Sequence, residues 1–222
     1  MTDASVVIIG SFLLAFKAIL IEGSEVAIIS LSMIKQLGRR NIFFGVAVGT
    51  LGSIVTFLVV ETIFTLVSKS AGYIVDFATA GILLYFSYRF LRGFVKYAFR
   101  HGSFRAKMAR MEEEAMLKAK EQDGETIRSF SVAHSVPVTT ITLTEGFEAS
   151  LILAAAGTFN LEWTIIGAVV SLLLLIGVSA VSYQYLLRVP RWALDLIAGV
   201  VLLTFGIIFL ATGILTVQTG TL

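Results

Sequence analysis

The chain has 222 residues, of which 57% are hydrophobic and only 14% are charged. Soluble domains are about 25% charged, so these charges are too few to cover the surface of a soluble protein of this length. The absence of cysteine excludes disulfide bonds and thiolate metal ligands, and nothing in the formal net charge of +2 indicates a nucleic-acid partner. We therefore predict an integral protein of the cell membrane.

Six apolar stretches are long enough to cross a bilayer, which takes roughly 20 residues in a helix. In chain order they cover 4–34, 41–67, 71–96, 129–157, 163–187 and 191–217. The first is interpreted as a retained span, because no basic region and no cleavage site mark it as a signal peptide. The predicted fold class is an all-α polytopic membrane protein with six transmembrane helices.

Basic residues lie almost entirely on one side of this predicted arrangement. Apart from Lys17 within the first span and Lys69 between the second and third, every Lys and Arg falls at one set of loops and helix ends. Positive loops face the cytoplasm, so both termini are expected outside it. The charged segment 97–128, which carries EEE followed by LKAK, is predicted to be a cytoplasmic linker helix.

The two halves of the chain repeat one pattern. ILIEGSEVAIISL at 19–31 aligns with TLTEGFEASLILA at 142–154, and the next two spans of each half align in turn. The acidic pairs in this alignment are Glu22 with Glu145, Glu25 with Glu148, and Asp76 with Asp195. Carboxylates at matching places in apolar helices do not arise easily by chance, so we interpret the pattern as an internal repeat.

Each half of the chain, 1–96 and 129–222, holds three predicted spans. An odd number of crossings inverts the second half relative to the first, so we expect two inverted three-helix repeats. This architecture is typical of secondary transporters, whose substrate site lies near the bilayer midplane between the repeats.

The paired glutamates are the strongest candidates for a binding site. Residues three apart lie on one face of a helix, so Glu22 and Glu25 project together, as do Glu145 and Glu148. If the halves pack about a two-fold axis, both pairs face one site in the membrane. Charges there are costly, and a hard cation such as Mg²⁺, Ca²⁺, Mn²⁺ or iron would balance them. The structural alternative is a set of protonated or mutually hydrogen-bonded acids that hold two helices together.

Four further charged positions are candidates for accessory or entry roles. Inverted symmetry would place Asp76 and Asp195 at opposite mouths of a pathway, as entry ligands or gates, or simply as acids that stabilise helix N-termini. Glu61 has no acidic match in the fifth span and is a candidate for an outer vestibule. Lys17, which precedes Glu22 in the first span, is considered as a tethered counter-ion to the glutamates.

In EGSEVAIISLSMIKQLGRRNIFFGVAVG and TEGFEASLIL, the sequence resembles the high-affinity iron permeases of the oxidase-dependent iron transporter family. That family carries Arg-Glu-Gly-Leu/Phe-Glu-Ala once in each half; here Ile21 and Thr144 stand in place of the arginines, and Val26 in place of one alanine. The resemblance implies iron uptake, with the glutamates of the motif as iron ligands. In this chain those are Glu22, Glu25, Glu145 and Glu148. The inverted-repeat Mn²⁺/Ca²⁺ cation–proton exchangers are more distantly similar.

The leading hypothesis is a transporter that moves a metal cation, with iron as the first candidate, by alternating access at the two Glu-Gly-x-Glu motifs. The alternatives are a Mn²⁺/Ca²⁺ cation–proton exchanger, a non-transporting membrane metal sensor, and an intramembrane metalloenzyme, although the spans contain no His-Glu-x-x-His motif and no Ser/His pairing. We expect no enzymatic activity and no cofactor beyond the transported ion. The expected partners are the metal ion and membrane lipid; a second copy of the chain and a metal oxidase or reductase are left open.

Overall fold

Long helices make up nearly all of the described structure. The computed structural model describes residues 4–99, 113, 130–188 and 191–219. Its helices are α1 Ala4–Leu37, α2 Arg39–Phe99, α3 Val132–Arg188 and α4 Arg191–Thr219. Each of the four contains a stretch long and apolar enough to cross a membrane. The described part of the chain is therefore all-α, with the helices of a membrane protein, as predicted.

The helices are longer and fewer than the sequence predicts. α2 contains 61 residues and α3 contains 57. α2 joins two helical stretches across a kink at Ala71, between the second and third predicted spans, so the described residues form four helices where the sequence predicts six. Neither of the chain's two prolines, Pro137 and Pro190, lies in the loops predicted within α2 and α3, so every backbone N–H there can donate a helical hydrogen bond. The linker predicted at 97–128 lies almost wholly outside the described residues.

α2 is not straight. This follows from the contacts that its two halves make with the same turn of α3. The hydroxyl of Ser150 in α3 donates a hydrogen bond to the carbonyl oxygen of Ser53, at 2.8 Å, and Glu148 forms an ion pair with Arg89. On a straight helix, Ser53 and Arg89 would be about 54 Å apart, at 1.5 Å per residue. The backbone of Ala71, with φ −157° and ψ 68°, departs from helical geometry, and α2 reverses its direction there.

α3 also reverses its direction. Glu22 of α1 and Glu145 have carboxylate oxygens within 4.8 Å of each other, while a Cβ at Gly23 would lie 2.6 Å from the side chain of Leu175. A straight α3 would hold Glu145 and Leu175 about 45 Å apart. Between them, the side-chain oxygen of Asn160 accepts a hydrogen bond from the backbone N–H three residues later, at 3.1 Å. This is the geometry of a helix N-cap, so a second arm of α3 starts at this turn.

The two halves of the chain make matching close contacts between helices, at positions that correspond to each other in the sequence repeat. A Cβ at Gly45 would lie 2.8 Å from the carbonyl oxygen of Ser135, and a Cβ at its counterpart Gly167 would lie 2.5 Å from the carbonyl oxygen of Phe12. Phe12 and Ser135 are themselves counterparts in the repeat. The first arm of α2, which precedes Ala71, therefore approaches α3 in the way that the second arm of α3, which follows Asn160, approaches α1. Both approaches require a residue without a side chain.

Two apolar clusters flank the motif glutamates along α1. The first packs α1 against the other three helices through residues that include Leu14, Ile21, Leu83, Ile152 and Leu202. The second holds the C-terminal part of α1, around Met33 and Leu37, against α2 and α3. Glu22 and Glu25 lie between these clusters, so apolar packing on both sides separates their level of the bundle from the helix ends.

We expect the matched glycines to matter equally for stability. Gly45→Ala and Gly167→Ala each place a methyl group against a backbone carbonyl, and overpacking of this kind costs about 1–3 kcal/mol. Gly177→Ala is the control, because a Cβ at Gly177 meets nothing within 4 Å, and this variant should be neutral or slightly stabilised. The measurement is reversible unfolding of the purified protein in mixed micelles. Equal tolerance of all three substitutions would show that the close approaches are not required.

Candidate metal centre

Three glutamates from both halves of the repeat converge inside the helix bundle. Glu22 comes from the middle of α1, and Glu145 and Glu148 come from the first arm of α3. One carboxylate oxygen from each residue lies within 4.8 Å of the other two. Glu22 is 3% exposed and Glu145 5%, and the side chain of Glu148 is 12% exposed. Protein atoms rather than solvent therefore surround this group, which we call the glutamate cluster.

Glu25, the fourth predicted ligand, lies next to the cluster without being one of its three members. It is 2% exposed and follows Glu22 by nearly one helical turn, which places its Cα about 4.5 Å further along α1. Its carboxylate is not one of the three that lie within 4.8 Å of one another. The structure thus brings together three of the four predicted glutamates.

A guanidinium group from α2 brings positive charge to the glutamate cluster. Nη1 of Arg89 forms an ion pair with Oε1 of Glu148, and the guanidinium is close enough to Glu22 and Glu145 to be attracted by both. The Arg89 side chain is 43% exposed, so part of it faces away from the cluster. Arg89 reaches this position because α2 reverses at Ala71 and its second arm returns alongside α3.

Arg89 is a site residue that is absent from the sequence-based prediction, in which it lies among the basic residues near the cytoplasmic end of the third predicted span. The repeat contained one signal: Arg89 aligns with Ile208, so a charge stands in one half where the other half has an apolar side chain. The partner of that charge could not be predicted, because Glu148 lies on another helix and no local pattern specifies which helices meet.

Lys17, considered from the sequence as a counter-ion, lies over an aromatic ring. Its Nζ is 3.4 Å from the centroid of Phe90, and the negative face of an aromatic ring attracts a cation at this distance. Phe90 follows Arg89 directly in α2, so Lys17 contacts the arm of α2 that carries Arg89. A direct role of Lys17 as counter-ion to the glutamates stays a prediction.

The two predicted entry aspartates lie at opposite ends of the contact between α2 and α4. Asp76 of α2 packs against Gly213 of α4, and Asp195 of α4 packs against Gly93 of α2. Asp195 is buried, with 3% exposure, whereas Asp76 is half-buried. Each aspartate thus faces a glycine on the opposite helix, and neither belongs to the glutamate cluster. Their roles as entry ligands or gates stay predictions.

Glu61, the remaining candidate acid, is remote from the glutamate cluster. It packs against Gly157 of α3, which lies about 13.5 Å along that helix from Glu148. Its Oε2 atom is buried without a hydrogen-bond partner. The structure therefore places Glu61 in the contact between α2 and α3, and its predicted vestibule role is not tested by this position.

The spacing of the cluster oxygens matches the coordination shell of one hard cation. Mg²⁺–oxygen distances are about 2.0–2.1 Å and Ca²⁺–oxygen distances about 2.3–2.6 Å, so two oxygens on one ion lie at most about 4–5 Å apart. The three cluster oxygens all lie within 4.8 Å of one another, and carboxylate oxygens are the donors that Mg²⁺, Ca²⁺ and Mn²⁺ prefer. The three glutamates therefore fit a hard metal ion bound between the two halves of the chain.

Comparisons of the chain with protein-family models, with curated proteins and with solved structures found no match. The resemblance to iron permeases therefore depends on the motif residues alone and stays a prediction.

We expect Arg89 and Glu148 to be energetically coupled. Arg89→Gln removes the guanidinium that pairs with Glu148, and Glu148→Gln removes the acid that Arg89 binds. The double variant should lose less stability than the sum of the single losses, with a coupling of about 0.5–3 kcal/mol. Unfolding in mixed micelles measures all three variants, and Arg92→Gln, at an exposed arginine of the same helix, is the control. Additive losses would show that the ion pair contributes nothing to stability.

Proposed function

We propose that this chain is a membrane transporter of a metal cation, which binds between Glu22, Glu145 and Glu148 and crosses by alternating access. The observation that carries the proposal is the meeting of three carboxylates from both halves of the chain in the interior of apolar helices. Ionisable groups within membrane helices are costly and mark ion pathways. A metal ion supplies the charge that offsets this cost, and a site between two halves can open to either side.

The two halves are proposed to be inverted repeats, with α1 and both arms of α2 in one, and both arms of α3 and α4 in the other. The matched contacts at Gly45 and Gly167 support this arrangement. α1 runs parallel to the second arm of α3, since Phe12 meets Gly167 and Gly23 meets Leu175. Because α3 reverses its direction, α1 is antiparallel to the first arm of α3, which is the counterpart of α1 in the repeat. Antiparallel counterparts are what an inverted repeat requires, and transporters of this kind bind substrate between the repeats.

Iron is the ion we propose first, because the chain resembles the iron permeases at the two motifs that supply the cluster. The arginines of the family motif are absent at Ile21 and Thr144, and Arg89 brings a guanidinium to the same acids from another helix. This supports a site with a similar combination of acids and an arginine, in which the arginine comes from another helix. Mn²⁺ and Ca²⁺ are the alternatives, since oxygen donors suit them as well.

The proposed pathway runs from one end of the bundle through the glutamate cluster to the other, with Asp76 and Asp195 as acids on either side. The chain would lie in the cell membrane with both termini outside the cytoplasm, because the basic loops, including 97–128, would remain inside. Rocking of one repeat against the other would expose the cluster to each side in turn.

We expect Glu22→Gln and Glu145→Gln each to lower metal uptake into proteoliposomes at least tenfold, because an amide removes the charge that binds the ion. Glu162→Gln is the matched control, since Glu162 is an exposed glutamate of α3, and it should leave uptake unchanged. Size-exclusion chromatography and circular dichroism establish that each variant is folded. Normal uptake by both cluster variants would refute the proposal, and metal binding without uptake by the wild type would favour a sensor instead.

Anomalous scattering locates the ion directly. Crystals soaked separately in Fe²⁺, Mn²⁺ and Ca²⁺ should give a peak among the oxygens of Glu22, Glu145 and Glu148 for the transported ion. The relative occupancy at equal concentrations ranks the three metals. Peaks only at surface acids would contradict a metal site in the bundle interior.

A further inference from the structure

We propose that Arg89 is a resident counter-cation that competes with the metal for the glutamate cluster. Its guanidinium holds Glu148 while no metal is bound, withdraws when a metal ion binds, and returns as the ion leaves. This inference rests on the proposed metal site and adds a residue that lies outside both motifs. It assigns to Arg89 a role in setting metal affinity and release.

A metal ion and the Arg89 guanidinium compete for one acid of the cluster, Glu148. A metal ion bound by the three carboxylates would lie within about 2.0–2.6 Å of an oxygen of Glu148, the residue that Arg89 already contacts. Repulsion between two such close cations grows as the local dielectric constant falls, and Glu22 and Glu145 are almost fully buried. The metal ion and the guanidinium therefore weaken each other's binding.

The arginine side chain has room to leave. Arg89 is 43% exposed although its partner Glu148 is 12% exposed, so the guanidinium can turn away from the cluster without repacking the apolar core. Residues four apart lie on the same face of a helix, and Gly93, four residues beyond Arg89, packs against Asp195 of α4. A guanidinium that leaves Glu148 thus has a second acid one helical turn away.

The charged groups around Arg89 come from every helix packed against its arm of α2. α4 contributes Asp195, and α1 and α3 contribute the remaining ones: Lys17, Glu22, Glu145 and Glu148. Acids outnumber bases in this set, so the site attracts a cation even with Arg89 in place. Arg89 lowers that attraction without cancelling it, which is what a site that must also release its ion requires.

The cysteine-free chain permits a test in which only the charge at this position changes. Arg89→Cys removes the cation, a cationic aminoethyl methanethiosulfonate restores a positive charge, and a neutral methyl methanethiosulfonate of similar reactivity does not. Binding of Mn²⁺ to the purified full-length protein is measured by isothermal titration calorimetry, and uptake is measured in proteoliposomes. Arg92→Cys, at an exposed arginine of the same helix, is the matched control.

We expect Arg89→Cys to bind Mn²⁺ at least tenfold more tightly than the wild type and to transport it with a lower maximal rate, because release is slowed. The cationic reagent should return the affinity to the wild-type value, and the neutral reagent should leave it high. Arg89→Lys, which keeps the charge, should resemble the wild type, and Arg92→Cys should not differ from it. If Arg89→Cys fails to fold, Arg89→Gln serves as the neutral variant.

Unchanged or weaker Mn²⁺ binding by a folded neutral variant overturns the inference, as does an equal effect of the two reagents. Glu22→Gln separates this failure from that of the proposed function. If Glu22→Gln binds Mn²⁺ like the wild type, the metal site itself is wrong. If Glu22→Gln loses binding while Arg89→Cys gains none, only the role of Arg89 is wrong.

Discussion

Carboxylates buried among apolar helices need a positive charge beside them, and the other features of this protein depend on that need. Glu22, Glu145 and Glu148 lie within 4.8 Å of one another in a bundle of helices long and apolar enough to cross a membrane. Without a cation, such a group would have to take up protons or force the helices apart. Arg89 supplies one positive charge from the protein itself, and a metal ion would supply another from outside.

The path of the helices brings the three glutamates and Arg89 together. Each half of the repeat contributes at least one acid, so the halves must pack face to face at the level of the motifs. The reversal of α2 at Ala71 returns its second arm alongside the cluster, and the reversal of α3 lets both of its arms contact α1. Gly45 and Gly167 permit the close approaches that hold these arms in place. Apolar clusters on either side then separate the acids from the helix ends.

In the mechanism that we propose, the arrangement favours exchange of cations over permanent storage of one. A set of acids with no internal cation would bind a metal tightly and release it slowly. An internal guanidinium that competes for Glu148 weakens binding and offers a replacement when the ion departs, so the acids are never left without a nearby positive charge. This links the ion pair of Arg89 and Glu148 to the alternating access proposed for the two halves, because release to either side needs the same replacement.

The sequence by itself determined the all-α membrane class, the internal repeat and the motif glutamates. Those features are local: apolar runs, and pairs of acids at helical spacing. It also suggested six separate helices, whereas the described residues form four, two of which reverse their direction at a short connection. Only the tertiary structure decided that Glu22, Glu145 and Glu148 meet and that Arg89 pairs with one of them. Both outcomes depend on which helices meet and at what level, and contacts between distant helices leave no periodic signal in the chain.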